Sequence, residues 1–294
     1  MLQRGWQVVA MVRNPDGASK AWNGSVAPHW LAGDAMVRDD VIKAAKGAMV
    51  IVHGVNPPGY RHWDRLVLPM IDNTIMAARA AEGARILLPG TIYNYNPVST
   101  PVIYEATPQR PKGSKGEIRV ALERRLTAAA PHVPSLIVRA SDFFGPGVRQ
   151  SWFSQAMARR HLKSILNPGW PGIGHSWAYL PDLAEAMVQL LELDEGRLRP
   201  AECLQFAGIW DADGTEMAAA IRRAVGKSDL PQWRFPWWLM RLLAPFGGFP
   251  REVAEVLPFW RYPLRLDNSR LITLLGEEPH TSLDEAVAAT LASY

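Results

Sequence analysis

The feature that most constrains the fold is an alternation of short, wholly apolar runs with helical stretches in the first half of the chain. The runs lie at 7–12, 48–52, 85–88 and 135–139, and the stretch 64–81 between two of them has the spacing of an amphipathic helix. Strands that are apolar throughout are typical of a parallel sheet covered by helices on both faces. We therefore predict a Rossmann-like, doubly wound α/β domain whose ligand lies beyond the carboxyl ends of the strands.

The second half of the chain has a different character. Tryptophan and proline accumulate there, and from residue 232 onward short helices predominate. We predict a Rossmann domain over residues 1–148 that also receives residues 175–210. The remainder of 149–294 is expected to form a smaller, mostly helical substrate lobe interleaved with it.

Composition excludes several classes of function. The net charge of +4 is spread along 294 residues, without the dense basic stripe of a nucleic-acid-binding protein. The single cysteine, Cys203, can form neither an internal disulfide nor a thiolate cluster, and no histidine pair has metal-ligand spacing, so we predict no metal and a reducing, cytoplasmic location.

No apolar run is long enough to span a bilayer, and we predict no membrane partner. Residues 236–246 could form an amphipathic membrane-surface helix, but this stretch has one basic residue and is bounded by prolines. Packing over a substrate cleft or against a partner subunit is favoured instead. We expect a monomer or a homodimer.

The residues that follow each predicted strand carry a family resemblance. They are Arg13 after the first run, Gly33-Asp34, then His53-Gly54-Val55, and later 139–147 and 177–186. In this order they resemble the extended short-chain dehydrogenase/reductase family, also called the NAD-dependent epimerase/dehydratase family, over nearly the whole chain. The resemblance implies a nicotinamide dinucleotide as cofactor and a small-molecule substrate.

The resemblance also assigns cofactor-binding residues. Arg13 matches the arginine that contacts the 2′-phosphate of NADP, so NADP is expected and NAD less so. Asp34 would bind the adenosine end, and His53, Gly54 and Val55 match the turn beside the nicotinamide phosphate.

The predicted active site departs from the family pattern. The family motif is matched at 105–111 and at Glu123, and that register places Lys115 where the catalytic tyrosine belongs and Arg119 where the lysine belongs. Arginine can hold the nicotinamide ribose but cannot accept a proton. Thr91, Tyr93 and Lys115 are therefore the candidates for polarising the substrate oxygen.

Four further residues are candidates for substrate contact. Asn56 follows a predicted strand, and Phe143, Trp152 and Trp177 could line a pocket for a flat or apolar substrate. Ordinary packing of the lobe is an equally open explanation for the three aromatic residues.

A second departure concerns the start of the chain. Residues 2–5 are typical of a helix end capped by Gly5, and the family's first strand and glycine-rich turn are not found before it. We expect the strands at 7–12 and 48–52 each to have an unpaired inner edge, and the working protein to have about 25 more residues upstream.

Two functions remain open. The first is an NAD(P)-binding oxidoreductase or epimerase-like enzyme that acts on a small carbonyl- or hydroxyl-bearing substrate. The second is a non-catalytic protein that senses NADP(H) or serves as a scaffold.

Overall fold

A computed structural model of the chain describes residues 1–57, 62–158 and 162–294. It confirms the predicted α/β class. The strands are β1 Val9–Val12, β2 His29–Ala32, β3 Val50–Val52, β4 Arg85–Gly90, β5 Val102–Ile103, β6 Ser135–Arg139, β7 Asp142–Phe144, β8 Ile165–Asn167, β9 His175–Tyr179, β10 Ala201–Gln205, β11 Ile209–Asp211, β12 Gln232–Arg234 and β13 Arg265–Leu266. The helices are α1 Pro15–Ala21, α2 Arg38–Ala44, α3 Trp63–Ala80, α4 Ser114–Ala129, α5 Leu180–Leu191, α6 Glu216–Val225, α7 Trp237–Leu243, α8 Gly248–Arg261, α9 Ser269–Leu275 and α10 Leu283–Ala292.

The main sheet has the parallel order β10-β6-β4-β3. Because side chains alternate along a strand, β4 buries Ile86 and Leu88 against α3 and α4 on one face. Leu87 faces the opposite side, where α5 and α9 cover the sheet. The two hydrophobic layers account for the apolar character of the central strands.

Strands β1 and β2 form a separate parallel pair, outside the main sheet. Among the described residues, β1 pairs only with β2 and β3 only with β4, so each of these strands has an open edge, as predicted for the strands at 7–12 and 48–52. Val9 and Val52 are correspondingly exposed. Helix α2 connects the two sheets, since Met11 of β1 and Ile51 of β3 both pack against its cluster with α3.

The lobe is built on aromatic packing. The three-stranded sheet β11-β9-β7 and the pair β12-β8 support it. Trp152 lies at its centre, with ring centroids 5.4 Å from both Trp237 and Trp260. Buried residues of α6, α8 and α10 complete this core.

Several elements differ from the sequence prediction. The structure contains strand β2 and helix α1, which the sequence did not predict. The half-exposed residues of each element show no clear hydrophobic periodicity. The strand predicted at 204–207 instead covers Ala201–Gln205. The helix predicted over 152–162 is a π-helical turn at Phe153–Met157, and residues 159–161 of that range lie outside the described residues. A 3₁₀ turn at Leu2–Arg4 ends at Gly5 with a φ of 82°, in agreement with the capped helix end predicted for residues 2–5.

Candidate functional site

A cavity of about 530 Å³ lies at the carboxyl ends of β3, β4 and β6, where the fold predicts a ligand. Its volume is within the range of roughly 300–1,000 Å³ that is typical of small-molecule sites. Trp152, Phe235, Phe249 and Val253 of the lobe form the opposite wall. The predicted site residues that line it are His53, Gly54, Val55, Asn56, Thr91, Tyr93, Arg119, Phe143 and Trp152.

His53 follows β3 and is buried at the cavity wall. Its Nδ1 lies 2.8 Å from the Thr74 hydroxyl, which donates its only proton to the Met70 carbonyl at 3.0 Å. His53 Nδ1–H is therefore the donor to Thr74, and Nε2 is the acceptor. Burial, with a smaller contribution from the charge of Arg119, lowers the pKa of His53 to about 4. The imidazole is thus neutral at pH 7.

Arg119 extends from α4 into the same cavity. Its Nη2 donates to Asn56 Oδ1 at 3.0 Å, and its guanidinium lies 4.5 Å from the centroid of the Trp63 ring. The amide oxygen and the aromatic face orient the plane of the cation. Arg119 and Asn56, predicted for cofactor and substrate contact respectively, therefore lie next to each other.

Thr91 and Tyr93 come from the loop after β4. The Tyr93 amide donates to Thr91 Oγ1 at 3.4 Å, and the Tyr93 ring packs edge-on against Phe259 at 5.2 Å. Tyr93 also lines a second cavity of about 220 Å³. Both residues also line the larger cavity.

Lys115 lies elsewhere. Its Nζ is 2.5 Å from Glu252 and 2.8 Å from Glu255, and its side chain is buried. The Glu255 carboxylate also accepts from the Lys115 backbone amide at 2.8 Å, which caps the N-terminus of α4. Lys115 lines the smaller cavity with Tyr93 and is not among the residues of the larger one. The carboxylates of α8 attract its ammonium group to that side.

Asp142 is a residue of the larger cavity that the sequence prediction missed. Its Oδ2 lies 2.9 Å from His175 Nε2, and the His175 ring stacks on Trp260 at 4.0 Å. The sequence could have indicated Asp142, since this residue follows β6 in the segment 139–147 that carries the family resemblance. Trp177, a predicted substrate contact, is buried in the lobe core beside Phe144, away from the cavity wall.

The two residues predicted for the adenosine end lie on the β1–β2 pair, outside the cavity. Arg13 is exposed at the end of β1. Asp34 Oδ1 accepts from the Met36 amide at 2.9 Å, and its own amide donates to Asp40 at 2.9 Å. These bonds shape the turn after β2 and leave the Arg13 guanidinium facing solvent.

A buried ion pair supports the floor of the site. Arg139, at the end of β6, bonds to Glu123 of α4, and its guanidinium lies 5.4 Å from the Tyr95 ring centroid. Gln109 Nε2 donates to the same carboxylate at 2.5 Å. Burial raises the pKa of Tyr95 to about 12, so this phenol stays protonated at neutral pH. The register of Glu123 and Arg139 was noted in the sequence, but their contact was not predicted.

No protein-family model and no curated protein sequence matches the chain. Solved structures of similar fold include the UDP-glucuronic acid 4-epimerase from Bacillus cereus in complex with NAD, with a TM-score of 0.73 and 17% identity over 99% of this chain and 89% of that one. A UDP-galactose 4-epimerase has a TM-score of 0.68 and 18% identity, and the match covers 99% of this chain and 91% of that one. The UDP-glucose 4-epimerase from Bifidobacterium longum, in complex with NAD⁺ and UDP, has a TM-score of 0.72 and 14% identity, and the match covers 99% of this chain and 92% of that one.

The chain therefore has the Rossmann-like fold of NAD-binding epimerases. The resemblance to the NAD-dependent epimerase/dehydratase family, which the sequence carries in a few strand-end residues, is confirmed at the level of the fold over nearly the whole chain.

Proposed function

We propose that the chain binds the nicotinamide end of a dinucleotide in the larger cavity and acts there on a small hydroxyl- or carbonyl-bearing substrate. The observation that carries this proposal is the convergence of different polar groups at the ends of three neighbouring parallel strands. The polar groups that line this one cavity of ligand size include the neutral imidazole of His53, the guanidinium of Arg119, the amide of Asn56 and the hydroxyl groups of Thr91 and Tyr93.

The cavity residues fit the ribose end of such a cofactor. Nε2 of His53 is an acceptor for a ribose hydroxyl, while the Arg119 guanidinium and the Asn56 amide supply donors for ribose or phosphate oxygens. The cofactor, when bound, would supply hydride transfer. The fit covers this half only, since Arg13 and Asp34 lie outside the cavity.

The form of the cofactor is part of the proposal. Arg13 favours NADP, whereas several solved structures of this fold are complexes with NAD. No carboxylate among the described residues pairs with Arg13, so it could meet a 2′-phosphate. We weigh the NAD complexes more heavily and propose NAD as the form to test first.

On the substrate side, Thr91 and Tyr93 would donate hydrogen bonds to a substrate oxygen. Phe143 and Trp152 provide apolar walls, and Asp142, held by His175, provides a carboxylate for a substrate hydroxyl. Because the proteins of similar fold include UDP-glucuronic acid and UDP-glucose 4-epimerases, nucleotide sugars are the first substrates to test.

The alternative, a protein that binds the dinucleotide without turnover, is favoured by the position of Lys115. Two carboxylates hold its ammonium group on the side of the smaller cavity. If Lys115 takes no part in proton transfer, an enzyme must use Tyr93 or Thr91 instead.

Binding is tested by titrating NADH and NADPH against the chain and following cofactor fluorescence. Arg119→Met should weaken binding by about ten- to a hundredfold, the effect of losing a charge-assisted hydrogen bond of ~1.5–3 kcal/mol. Arg124→Met, which changes an exposed arginine on the same helix, is the matched control. Equal affinity in the two variants would contradict the proposed site.

Turnover separates the two functions. With UDP-glucose or UDP-glucuronic acid and NAD, an enzyme should interconvert the 4-epimers, and Tyr93→Phe should abolish the reaction while leaving NADH affinity unchanged. Cofactor binding without turnover in the unaltered chain would support the sensing function. If Lys115→Met abolished turnover and Tyr93→Phe did not, the assignment of Tyr93 would be wrong.

A further inference from the structure

Helices α7 and α8 form a hairpin whose two sides differ in environment. Its inner side is buried in the lobe core, where Trp237, Val253, Val256 and Trp260 are all at most 5% exposed. Its outer side and its turn expose apolar side chains. The burial on the inner side fixes the orientation of the hairpin, so the exposure of the outer side is a consequence of the fold.

The exposed apolar residues lie on α7, in the turn that follows it and at the start of α8, a surface that we call the hairpin tip. Trp238 is 69% exposed, Leu242 62% and Phe246 86%. Phe249 is 57% exposed and Leu243 36%. Trp238 and Leu242 are four residues apart on α7 and therefore share a helix face. A group of large apolar side chains that are exposed on one surface is typical of an interaction site.

The hairpin tip lies in a stretch of one charge sign. Residues 232–251 contain three arginines and no acidic residue. Arg234, Arg241 and Arg251 are all exposed, and none forms an ion pair among the described residues. On the C-terminal side of the stretch, Glu252 and Glu255 are held by Lys115, and on the N-terminal side the nearest carboxylate is the exposed Asp229. The surface is therefore both apolar and cationic.

We propose that the hairpin tip docks on an anionic lipid surface, with the aromatic and leucine side chains in the headgroup region and the three arginines facing lipid phosphates. This reverses the expectation drawn from residues 236–246 alone, because Arg234 and Arg251 flank that stretch and add to the charge of Arg241. Tryptophan, phenylalanine and leucine beside basic residues are the composition of segments that lie in the membrane interface. No helix among the described residues is long and apolar enough to cross a bilayer, and this proposal requires none.

The charge pattern distinguishes a lipid surface from a second copy of the chain. A two-fold dimer places the same patch on both partners, so contact through the hairpin tip would bring two cationic patches together. Like charges in an interface oppose association. An anionic surface, by contrast, complements the arginines while burying the aromatic groups.

The location of the hairpin tip adds a functional consequence. Phe249 belongs both to the tip and to the wall of the larger cavity. Docking would bring that cavity next to the lipid headgroups. A ligand that is itself membrane-associated could then reach the cavity without crossing bulk water.

The test is sedimentation with vesicles made of equal parts phosphatidylglycerol and phosphatidylcholine, compared with vesicles of phosphatidylcholine alone. The unaltered chain should bind the anionic vesicles in a salt-sensitive manner. The double variant Trp238→Ser/Phe246→Ser and the variant Arg241→Glu should each weaken binding by at least about tenfold. One basic residue near such a surface contributes about fivefold, and Arg241→Glu adds repulsion to that loss. The double variant removes two aromatic side chains from the headgroup region.

Matched controls are Tyr104→Ser and Arg65→Glu, which change exposed residues on other elements and should leave vesicle binding unchanged. Circular dichroism shows whether each variant is folded. Equal binding to neutral vesicles, or unchanged binding of the tip variants, would overturn the proposal. A dimer that the double variant converts to monomers would also overturn it, because the hairpin tip would then be a subunit interface.

Discussion

The protonation of His53 should couple the stability of the chain to pH. Its pKa is lowered from 6.5 to about 4 by burial first and by Arg119 second, so the folded state holds the neutral imidazole. Between those two pH values the unfolded chain binds a proton that the folded chain does not. The contribution of His53 to the free energy of unfolding is therefore fully present above pH 6.5 and is lost as the pH falls towards 4. The change in pKa corresponds to about 3 kcal/mol.

The assay is urea unfolding at a series of pH values from 4 to 7, followed by circular dichroism. Carboxylates also titrate in this range, so the informative quantity is the difference between the unaltered chain and His53→Gln, which keeps a polar amide but does not titrate. The unaltered chain should lose about 3 kcal/mol more than the variant on going from pH 7 to 4. His132→Gln, at an exposed position, should follow the unaltered chain. Parallel curves for the unaltered chain and His53→Gln would refute the reasoning.

Three other predictions follow from buried groups outside the cavity. Arg139→Met should lower the free energy of unfolding by about 3–5 kcal/mol because it leaves the Glu123 carboxylate buried without its cation, and the double variant with Glu123→Leu should recover most of it in urea unfolding. Gly116→Ala places a Cβ 2.2 Å from a backbone carbonyl oxygen and should cost about 1–3 kcal/mol, whereas Gly54→Ala, which has open space, should leave the melting temperature unchanged. Desolvation raises the pKa of the partly exposed Cys203 thiol to about 12, so a thiol reagent at pH 8 should modify it much more slowly in the folded chain than in the unfolded chain, and equal labelling rates would contradict this.

Some of the site could be read from single residues in the sequence. His53, Asn56 and Thr91 directly follow apolar strands, and parallel strands bring their carboxyl ends to one edge of a sheet, so their convergence on one cavity is a consequence of local pattern. Asp142 carried the same signal. Trp177 did not, because a bulky aromatic residue next to a predicted strand fits a core as well as a pocket, and its burial depends on Phe144 and Trp260 from distant segments.

The contacts that Lys115 and Arg119 make could not be predicted from their spacing in the sequence. Lys115 and Arg119 lie one turn apart on α4, yet one bonds to Glu252 and Glu255 and the other lies over Trp63 beside the cavity. The carboxylates that hold Lys115 are more than 130 residues away in the chain. Only the packing of α8 against the start of α4 decides which of the two cations reaches the ligand.

The sequence by itself determined the fold class, the parallel sheet and the edge at which a ligand would lie, because apolar alternation and turn residues act over a few positions. The tertiary structure decided which side chains meet. It paired Glu123 with Arg139, buried Trp177, kept His53 neutral through burial and the charge of Arg119, and exposed the tip of the α7–α8 hairpin. These outcomes depend on desolvation and on contacts between distant segments, which no local pattern records.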